Sequence, residues 1–378
     1  MRLTLSLGGR VPLGMRTLVH DWVRLGIAIG GVGFAILLVL LLQGVMDGTV
    51  AKSTTYIDHV GADVFVARSG VNNMAIASSA LPEDVVSRVA TVEGVAEAAG
   101  VTRFPVIVNA DGQERPADLV GYDLASGLGG PWKLSRGRAP AGPGEIALDR
   151  TLADELGVKI GDQVAISGTT FTVVGLSDQT AAIAGKIAFI ERAASQQLLR
   201  IPGIVSFVLV RAAPGADPGR VAGALDRQLP EVNAMTREEL SRNDRNLLGS
   251  LFVAPVNVMA TIGFLVGLAI IGLTMYTTTA ERIRDFGVLK AIGASNAFLF
   301  RTVVTQAAVL GVAGFVAGFV ATWVAGPVVV RVVPDIGVAI NPGPAARTFG
   351  AVMGMSLIGA VLPVARIVRV DPMMVFRS

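Results

Sequence analysis

Four long stretches without internal charge constrain the fold of this chain more than any other feature. Residues 25–46, 253–276 and 302–330 contain no Asp, Glu, Lys, Arg or His, and residues 347–366 carry arginine only at their two ends. A helix of about 22 residues covers the roughly 30 Å hydrocarbon core of a bilayer, because each residue adds about 1.5 Å. The chain is 52% hydrophobic and only 16% charged. The sequence therefore predicts an α-helical membrane protein with four transmembrane helices, over residues 25–46, 253–278, 302–330 and 347–366.

The first of these segments has an alternative interpretation, a cleaved signal peptide. The apolar part of a signal peptide has about 7–15 residues and leads to a small-x-small cleavage site. Residues 25–46 are longer, and Leu-Leu-Gln-Gly-Val-Met at 41–46 offers no such site. We therefore interpret the segment as an uncleaved membrane anchor.

Basic residues predict the orientation of the chain. The segment 279–301 holds four lysines and arginines, and arginines also occur in residues 1–24 and in the tail 367–378. Segments rich in lysine and arginine stay on the cytoplasmic side of a membrane. We therefore expect these three segments, and both termini, in the cytoplasm, and the loop 331–346 on the outer side.

Residues 1–24 also show a helical pattern. Met15, Leu18, Val19 and Trp22 recur on one face, with polar and charged residues elsewhere around the helix. This pattern is typical of an amphipathic helix lying in the membrane interface. A plain flanking segment of the first transmembrane helix is the alternative.

Residues 47–250 have the charge content of an ordinary globular domain. Runs typical of strands alternate with turn residues, and Asp111-Gly112 lies between two such runs, which predicts a hairpin. Helical patterns occur as well, and a polar one over 236–251 continues into the next apolar segment. The sequence thus predicts an α+β extracytoplasmic domain inserted between the first and second transmembrane helices. The predicted strands are 62–67, 101–109, 163–167, 171–176, 186–190 and 204–211, and the predicted helices are 82–91, 150–156, 192–199 and 217–229.

The sequence lacks the residues and motifs that several kinds of catalytic and binding site require. The sequence contains no cysteine and two distant histidines, and it lacks the phosphate-binding loop, the His-Glu-x-x-His motif and the Gly-x-Ser-x-Gly motif. No ionisable residue lies inside an apolar segment, whereas ion-driven carriers and intramembrane proteases need such groups. No basic stripe typical of nucleic-acid binding is visible. We therefore expect no catalytic, metal or cofactor site in this chain, and no nucleic-acid partner.

Each apolar segment contains one Gly-x-x-x-Gly pattern. Glycines four residues apart allow two helix backbones to approach closely in a membrane. Chance is the alternative, since the chain has 45 glycines. The candidate helix-packing residues are Gly26, Gly30, Gly263, Gly267, Gly314, Gly318, Gly350 and Gly354.

Four motifs in order resemble one family. Residues 281–295 read Glu-Arg-Ile-Arg-Asp-Phe-Gly-Val-Leu-Lys-Ala-Ile-Gly-Ala-Ser, which resembles the segment after the second span of MacB/FtsX-type ABC transporter permeases. The run from Arg136-Gly-Arg138 through Gly144-Glu-Ile-Ala-Leu to Asp162, the strand 171–176 and the Asp-Pro-containing C-terminus are similar to the same family. Asp285 stands where the family usually has Glu, and Val375-Phe376 is closer to DevC-type permeases. The resemblance covers nearly the whole chain.

The resemblance implies a partner. In this family the segment 279–301 contains a coupling helix that sits on a separate ATPase subunit, which binds ATP and Mg²⁺. It also implies two permease copies, a bacterial cytoplasmic membrane and mechanotransmission, in which closure of the ATPase dimer is relayed to the outer domain. Phe286, Leu289 and Ile292 would form an apolar ridge at the contact. The full set implied in or beside that contact is Glu281, Arg282, Arg284, Asp285, Phe286, Gly287, Leu289, Lys290, Ile292 and Gly293.

Two functions are compatible with this resemblance. The first is a permease that, with its ATPase, exports a hydrophobic or amphiphilic substrate, with an extracytoplasmic adaptor as a further partner. The second is a transmembrane signalling subunit, like FtsX itself, whose outer domain activates a cell-wall hydrolase. FtsX outer domains are shorter and lack the pattern from Arg136 to Leu176, which favours transport. Membrane lipids are expected contacts in both cases.

Overall fold

The computed structural model describes residues 22–178, 180, 186–333 and 337–368. The amphipathic pattern predicted over residues 1–24 therefore lies almost entirely outside the described residues, and so does the tail from residue 369 onward. The chain divides into two compact units. The helical unit comprises Met1–Asp47, Phe252–Val332 and Val338–Ser378, and the α/β unit comprises Gly48–Leu251 and Val333–Gly337.

Four helices are long and apolar enough to cross a membrane, as predicted. They are α1 (Trp22–Ser53), α7 (Arg237–Glu281), α9 (Asn296–Val332) and α10 (Pro342–Val368). Every one of them extends beyond the apolar segment from which it was predicted. The polar pattern over 236–251 does continue into the second apolar segment, because α7 is a single helix of 45 residues. A short helix, α8 (Ile283–Ala291), lies between α7 and α9 in the chain.

The helical unit has its own apolar core, to which all five helices contribute. Val32 of α1, Met275 of α7, Val303 of α9 and Met355 of α10 are each less than 5% exposed and belong to one cluster. Phe286 of α8 joins the same cluster. Lipid tails are as apolar as these side chains, so close packing rather than burial from water must hold such helices together.

The α/β unit is built on a mixed ten-stranded sheet. Its order is β12-β1-β11-β3-β4-β9-β6-β8-β5, with β7 paired to β3 and β8. The pairs β4–β9 and β6–β8 are parallel and the other pairs are antiparallel. The strands are β1 (Val64–Arg68), β3 (Val95–Ala110), β4 (Gln113–Tyr122), β5 (Leu134–Gly137), β6 (Glu145–Asp149), β7 (Gln163–Ile166), β8 (Thr169–Ser177), β9 (Lys186–Glu191), β11 (Phe207–Ala212) and β12 (Val232–Thr236).

Short helices and a small second sheet complete this unit. β2 (Leu81–Pro82) pairs with β10 (Ile204–Val205), so the strand predicted over 204–211 is in fact divided between two sheets. The break falls at Ser206, whose Oγ accepts a hydrogen bond from the amide of Arg103 at 3.0 Å. The helices are α2 (Thr55–His59), α3 (Asp84–Ala90), α4 (Arg150–Leu156), α5 (Arg192–Leu199) and α6 (Pro218–Gln228).

Two hairpins show why the local sequence determines the strand register. Asp111 and Gly112 have φ of 47° and 81°, and Ala110 pairs with Gln113 across them. A two-residue turn with positive φ at both positions matches the twist of antiparallel strands, and Asp-Gly adopts it readily. Ser167 and Gly168, with φ of 49° and 82°, form the same turn between β7 and β8. The predicted hairpin at Asp111-Gly112 is confirmed.

Candidate partner-binding surface

The segment that carries the family-like motif folds as α8, a helix whose two ends are fixed locally. At its start, the amide of Phe286 donates to the carbonyl of Arg282 at 3.2 Å. At its end, Gly293 has φ of 97°, and the amide of Ala294 donates to the carbonyl of Leu289 at 2.9 Å. A left-handed glycine with this hydrogen bond terminates a helix, because a residue with a Cβ is strained in that conformation. The glycine of the motif therefore determines where α8 stops.

The next helix begins immediately after this turn. Ser295 precedes α9, and its Oγ accepts a hydrogen bond from the amide of Phe298 at 3.3 Å. This is the interaction of an N-cap residue, which satisfies a backbone donor at the helix start. The Gly-Ala-Ser sequence at 293–295 thus supplies both a helix stop and a helix start.

One face of α8 is buried in the helical unit. Phe286 is 8% exposed and lies in the apolar cluster, and Leu289 packs against the same cluster. Gly287 is also buried. Of the ridge predicted to face a partner, Phe286 is buried and Leu289 is half-buried in the chain, whereas Ile292 is exposed; contact with a partner stays a prediction. Their spacing places Phe286 and Leu289 on one side of the helix, and that side packs against the long helices.

The opposite face of α8 is exposed. Arg284, Asp285 and Val288 are exposed, and Val288 retains 46% of its accessible surface. Ile292 is 76% exposed at the end of the helix. Arg284, Val288 and Ile292 follow one another at intervals of four residues and so form a continuous ridge. We call this ridge the α8 outer face. Of its two apolar members, Ile292 was predicted from the sequence and Val288 was not.

Three predicted contact residues outside this face are engaged within the chain. Glu281 accepts a hydrogen bond from the guanidinium of Arg24 at 2.5 Å, which joins the end of α7 to the start of α1. Arg282 and Lys290 are half-buried, and each has an interaction inside the protein. The structure therefore separates the ten predicted residues into an outward group and a group that anchors the segment.

The glycines of the Gly-x-x-x-Gly patterns fall into two groups. A Cβ on Gly318 would lie 2.6 Å from the carbonyl oxygen of Gly33, and a Cβ on Gly314 would lie 2.5 Å from a methyl group of Val32. Both glycines thus bring α9 against α1. Gly263 faces Val39 and Gly267 faces Met355 at comparably short distances, 2.6 and 2.8 Å.

The other four glycines show no such approach. Gly26, Gly30, Gly350 and Gly354 have no atom within 4 Å of an added Cβ among the described residues of this chain. Helix packing through them stays a prediction.

The α/β unit contains a polar cluster that the sequence did not reveal. Asp58 of α2 accepts hydrogen bonds from Ser241 at 2.7 Å, from Thr54 at 2.8 Å and from Arg245 at 2.9 Å. Arg245 also donates to the hydroxyl of Thr54. We call these four residues the Asp58 cluster. It joins the segment that follows α1 to the first turns of α7.

A buried carboxylate lies beside this cluster in the chain. Asp244 is 1% exposed and accepts a hydrogen bond from the amide of Met74 at 2.8 Å. Burial raises the pKa of Asp244, while its backbone hydrogen bonds to Met74 and Ala75 oppose the shift. The carboxylate therefore holds the loop before β2 against the first turns of α7. No sequence signal identifies it, because its partners are backbone amides about 170 residues away.

Comparison with protein families gives two matches. Residues 25–228 match the model of a MacB-like periplasmic core domain, and residues 257–372 match that of an FtsX-like permease C-terminal region. The two matches together span both units.

The individual proteins that are similar to this chain include ABC transporter permeases. The uncharacterized ABC transporter permease Rv0072 of Mycobacterium tuberculosis is 28% identical over 357 residues, covering 93% of this chain and 95% of the relative. The uncharacterized permease Rv2563 of the same organism is 27% identical over 358 residues, with the same coverage. The uncharacterized permease MJ1507 of Methanocaldococcus jannaschii is 28% identical over 164 residues, 42% of this chain and 41% of the relative.

Two solved structures are similar to part of the chain. The periplasmic region of MacB from Actinobacillus actinomycetemcomitans has a TM-score of 0.38 and 12% identity, covering 50% of this chain and 96% of that region. The extracellular domain of the ABC-type transporter YknZ from Gram-positive bacteria has a TM-score of 0.37 and 13% identity, covering 46% of this chain and 98% of that domain.

Proposed function

This chain belongs to the MacB/FtsX family of ABC transporter permeases, and we propose that it couples ATP hydrolysis in a separate ATPase subunit to the export of a hydrophobic or amphiphilic substrate. The permease itself carries no hydrolytic role in this proposal; ATP and Mg²⁺ are bound by the partner. We further propose that the protein lies in a bacterial cytoplasmic membrane with both termini in the cytoplasm, and that two permease copies work together.

The observation that carries the proposal is the division of α8 into two faces. Phe286 and Leu289 bind the segment to the core of the helical unit, while Arg284, Val288 and Ile292 stay exposed. A helix that is anchored on one side and carries exposed apolar side chains and an arginine on the other is suited to receive a partner. A displacement of α8 by the ATPase would move the core residues with which Phe286 packs.

The α8 outer face also has the chemistry of a binding ridge. Val288 and Ile292 supply apolar area, and Arg284 supplies a planar guanidinium that pairs well with carboxylates. Arginine and buried apolar anchors are typical of the few residues that dominate protein–protein affinity. The ATPase groove proposed here would therefore present an apolar floor and at least one acidic residue.

The experiment is a binding measurement with matched substitutions. Full-length permease and the ABC ATPase that forms a stable complex with it are purified, and their affinity is measured with the permease in lipid nanodiscs. We expect Val288→Asp and Arg284→Glu each to weaken the complex about 10- to 100-fold, because each removes a side chain that the complex would bury. Arg301→Glu on α9 is the control, since Arg301 is exposed but lies outside the α8 outer face.

The same complexes report on coupling. Candidate amphiphiles are added, and ATP hydrolysis is measured; stimulation supports export, whereas stimulation only by a cell-wall hydrolase supports the signalling alternative. Unchanged affinity of both variants would refute the role of the α8 outer face. Orientation is tested separately with Ser295→Cys in this cysteine-free chain. Labelling of that cysteine from outside intact cells would overturn the proposed topology.

A further inference from the structure

A cavity of about 420 Å³ opens between α1, α7 and α10 in the helical unit. On α1 it extends from Val32 to Asp47, which is about 22 Å of helix at 1.5 Å per residue. One leaflet of the hydrocarbon core is about 15 Å thick, since the whole core is about 30 Å. The cavity therefore runs parallel to the helices over the depth that a lipid acyl chain occupies. Its volume lies within the range of about 300–1,000 Å³ that is usual for ligand sites.

The deep part of the cavity is apolar. Val32 of α1, Phe264 of α7 and Met355 of α10 line it there. The helices approach one another at Gly263 and Gly267, where an added Cβ would lie within 3 Å of Val39 and Met355 respectively. These close approaches border the cavity, because Gly263 and Gly267 are among the residues that line it.

The other end of the cavity is polar. Gln43 and Asp47 lie one helical turn apart on α1, so their side chains share a face. Asn257 of α7 and Arg347 of α10 line the same end. These residues lie where the apolar segments of their helices begin or end, at the depth of lipid headgroups. The cavity is thus amphipathic along its length.

One of these polar groups is buried without a partner in the described part of the chain, and a second, Arg347, is exposed. Oε1 of Gln43 is buried and has no hydrogen-bond donor within the described residues. Arg347 forms no hydrogen bond or ion pair with any residue that the structure describes. Asp47 accepts one hydrogen bond, from Nδ2 of Asn341 at 2.9 Å, and a carboxylate can accept several more. A buried acceptor without a donor is unfavourable, so Oε1 of Gln43 needs a donor from outside the described residues.

We propose that this cavity binds one phospholipid of the phosphoethanolamine class, with an acyl chain in the apolar part. Its phosphate accepts hydrogen bonds from the guanidinium of Arg347, which suits phosphate oxygens through its planar set of donors. Its ammonium donates to Oε1 of Gln43 and to the carboxylate of Asp47. The site goes beyond the proposed function, because binding requires neither ATP nor an ATPase.

Charge complementarity selects this headgroup over the alternatives. The polar end holds one cation, Arg347, and one anion, Asp47, so a zwitterion matches both. A headgroup with phosphate alone would leave Gln43 without a donor. A choline headgroup carries a positive charge but has no N–H group, so it cannot satisfy Oε1 of Gln43. The ethanolamine and choline lipids therefore form a matched pair of probes.

The test is photo-cross-linking in nanodiscs that contain the full-length chain without an ATPase. A phosphatidylethanolamine with a diazirine in one acyl chain is compared with the phosphatidylcholine that carries the same acyl chains. Cross-linked peptides are located and quantified by mass spectrometry. We expect the ethanolamine probe to label the cavity segments of α1 and α7, at least about fivefold more than the choline probe, given the extra hydrogen bonds to Gln43 and Asp47.

Two pairs of variants test where the lipid lies. Ala260 lines the cavity on α7, whereas Ala269 of the same helix is exposed and lies outside it. Ala260→Phe should lower labelling about tenfold, and Ala269→Phe should leave it unchanged. Arg347→Gln should lower labelling by both probes, while Arg331→Gln, at an exposed arginine of α9 outside the cavity, should not.

Gln43→Leu tests the headgroup assignment without adding bulk. It should bring labelling by the ethanolamine probe down to the level of the choline probe and leave the choline probe unaffected. Size-exclusion elution of each variant checks that the helical unit has folded. Equal labelling by the two probes, or labelling that persists in Ala260→Phe, would show ordinary surrounding lipid and overturn the proposal. Failure of ATPase binding to the α8 outer face would leave these results untouched.

Discussion

Two of the polar connections between the region of α1 and α7 differ in almost every respect. The Asp58 cluster has four members and several hydrogen bonds; its Thr54 and Ser241 are buried, while the side chains of Asp58 and Arg245 are 33% and 48% exposed. The pair of Arg24 and Glu281 is a single contact between side chains that are 45% and 52% exposed. Removing a carboxylate that is the acceptor for two buried hydroxyls leaves those hydroxyls unsatisfied, whereas an exposed ion pair contributes about 0–1 kcal/mol. We therefore expect the Asp58 cluster to persist, whereas the pair of Arg24 and Glu281 can open and close at little cost in free energy.

The largest effect should follow from breaking the Asp58 cluster. Asp58→Ala leaves the hydroxyls of Thr54 and Ser241 and the guanidinium of Arg245 without their shared acceptor. We expect a loss of about 1–3 kcal/mol in the free energy of unfolding, measured by thermal unfolding in detergent. Asp154→Ala is the control, because it also removes an aspartate, at an exposed position on α4, and leaves the Asp58 cluster intact. Equal melting curves for the two variants would show that the cluster is incidental.

The second effect concerns contacts that involve no charge. Gly318→Ala places a methyl group within 3 Å of the backbone of Gly33 and of the side chain of Ile36, so α9 and α1 must separate. Overpacking of this kind costs about 1–3 kcal/mol. Gly350→Ala is the matched control, since its Cβ meets nothing within 4 Å, and alanine there should be neutral or slightly stabilising. Fluorescence-detected size-exclusion after heating measures both; a stable Gly318→Ala protein would contradict the close packing.

A smaller effect should depend on pH. Arg138 donates two hydrogen bonds to Glu145, at 2.6 and 2.5 Å, and the amide of Ala141 donates a third at 2.8 Å. The hydrogen bonds from Arg138 lower the pKa of Glu145 to about 2. A carboxyl whose pKa is lower in the folded state stabilises the protein above its unfolded pKa of about 4.3, and this contribution disappears as the pH falls toward 2.

Glu145→Gln should therefore flatten the pH dependence of stability between about pH 4.5 and 2. The effect is small because the pair is exposed to solvent. Unfolding of both proteins is followed by tryptophan fluorescence across this range. If the free energy of unfolding of the variant falls with pH as steeply as that of the unchanged protein, Glu145 is not the group responsible.

The smallest effect is expected for the exposed pair. Arg24→Gln should change the unfolding free energy by less than about 1 kcal/mol. Adding salt to 1 M should reduce even that difference, because the Debye length is then about 3 Å and interactions between exposed charges are screened. The Asp58→Ala difference should persist at the same salt concentration. A large, salt-resistant loss in Arg24→Gln would abolish the contrast between the two connections.

The sequence predicted what depends on local composition. The four long helices follow from uncharged segments, and the hairpin at Asp111 follows from two adjacent residues. The motif residues Arg138 and Glu145 were recognised by resemblance, and the structure gives the physical reason, a loop closed by a bidentate ion pair. These features need little information from distant parts of the chain.

Features that depend on distant parts of the chain were not predictable. Asp58 and Arg245 are 187 positions apart, so no periodicity links them. The spacing of Phe286, Leu289 and Ile292 indicates one helix face but not whether that face is buried. Only the packing of Phe286 into the apolar cluster shows that its side of α8 is buried in the chain.

The two faces of α8 have a consequence for how such permeases diversify. Phe286 and Leu289 pack in the apolar cluster of the helical unit, whereas Val288 and Ile292 lie outside that cluster among the described residues. Under the proposed function, substitutions on the outer face alter recognition while the fold tolerates them. A gene duplicate could thus acquire a new ATPase through two or three changes on a nine-residue helix.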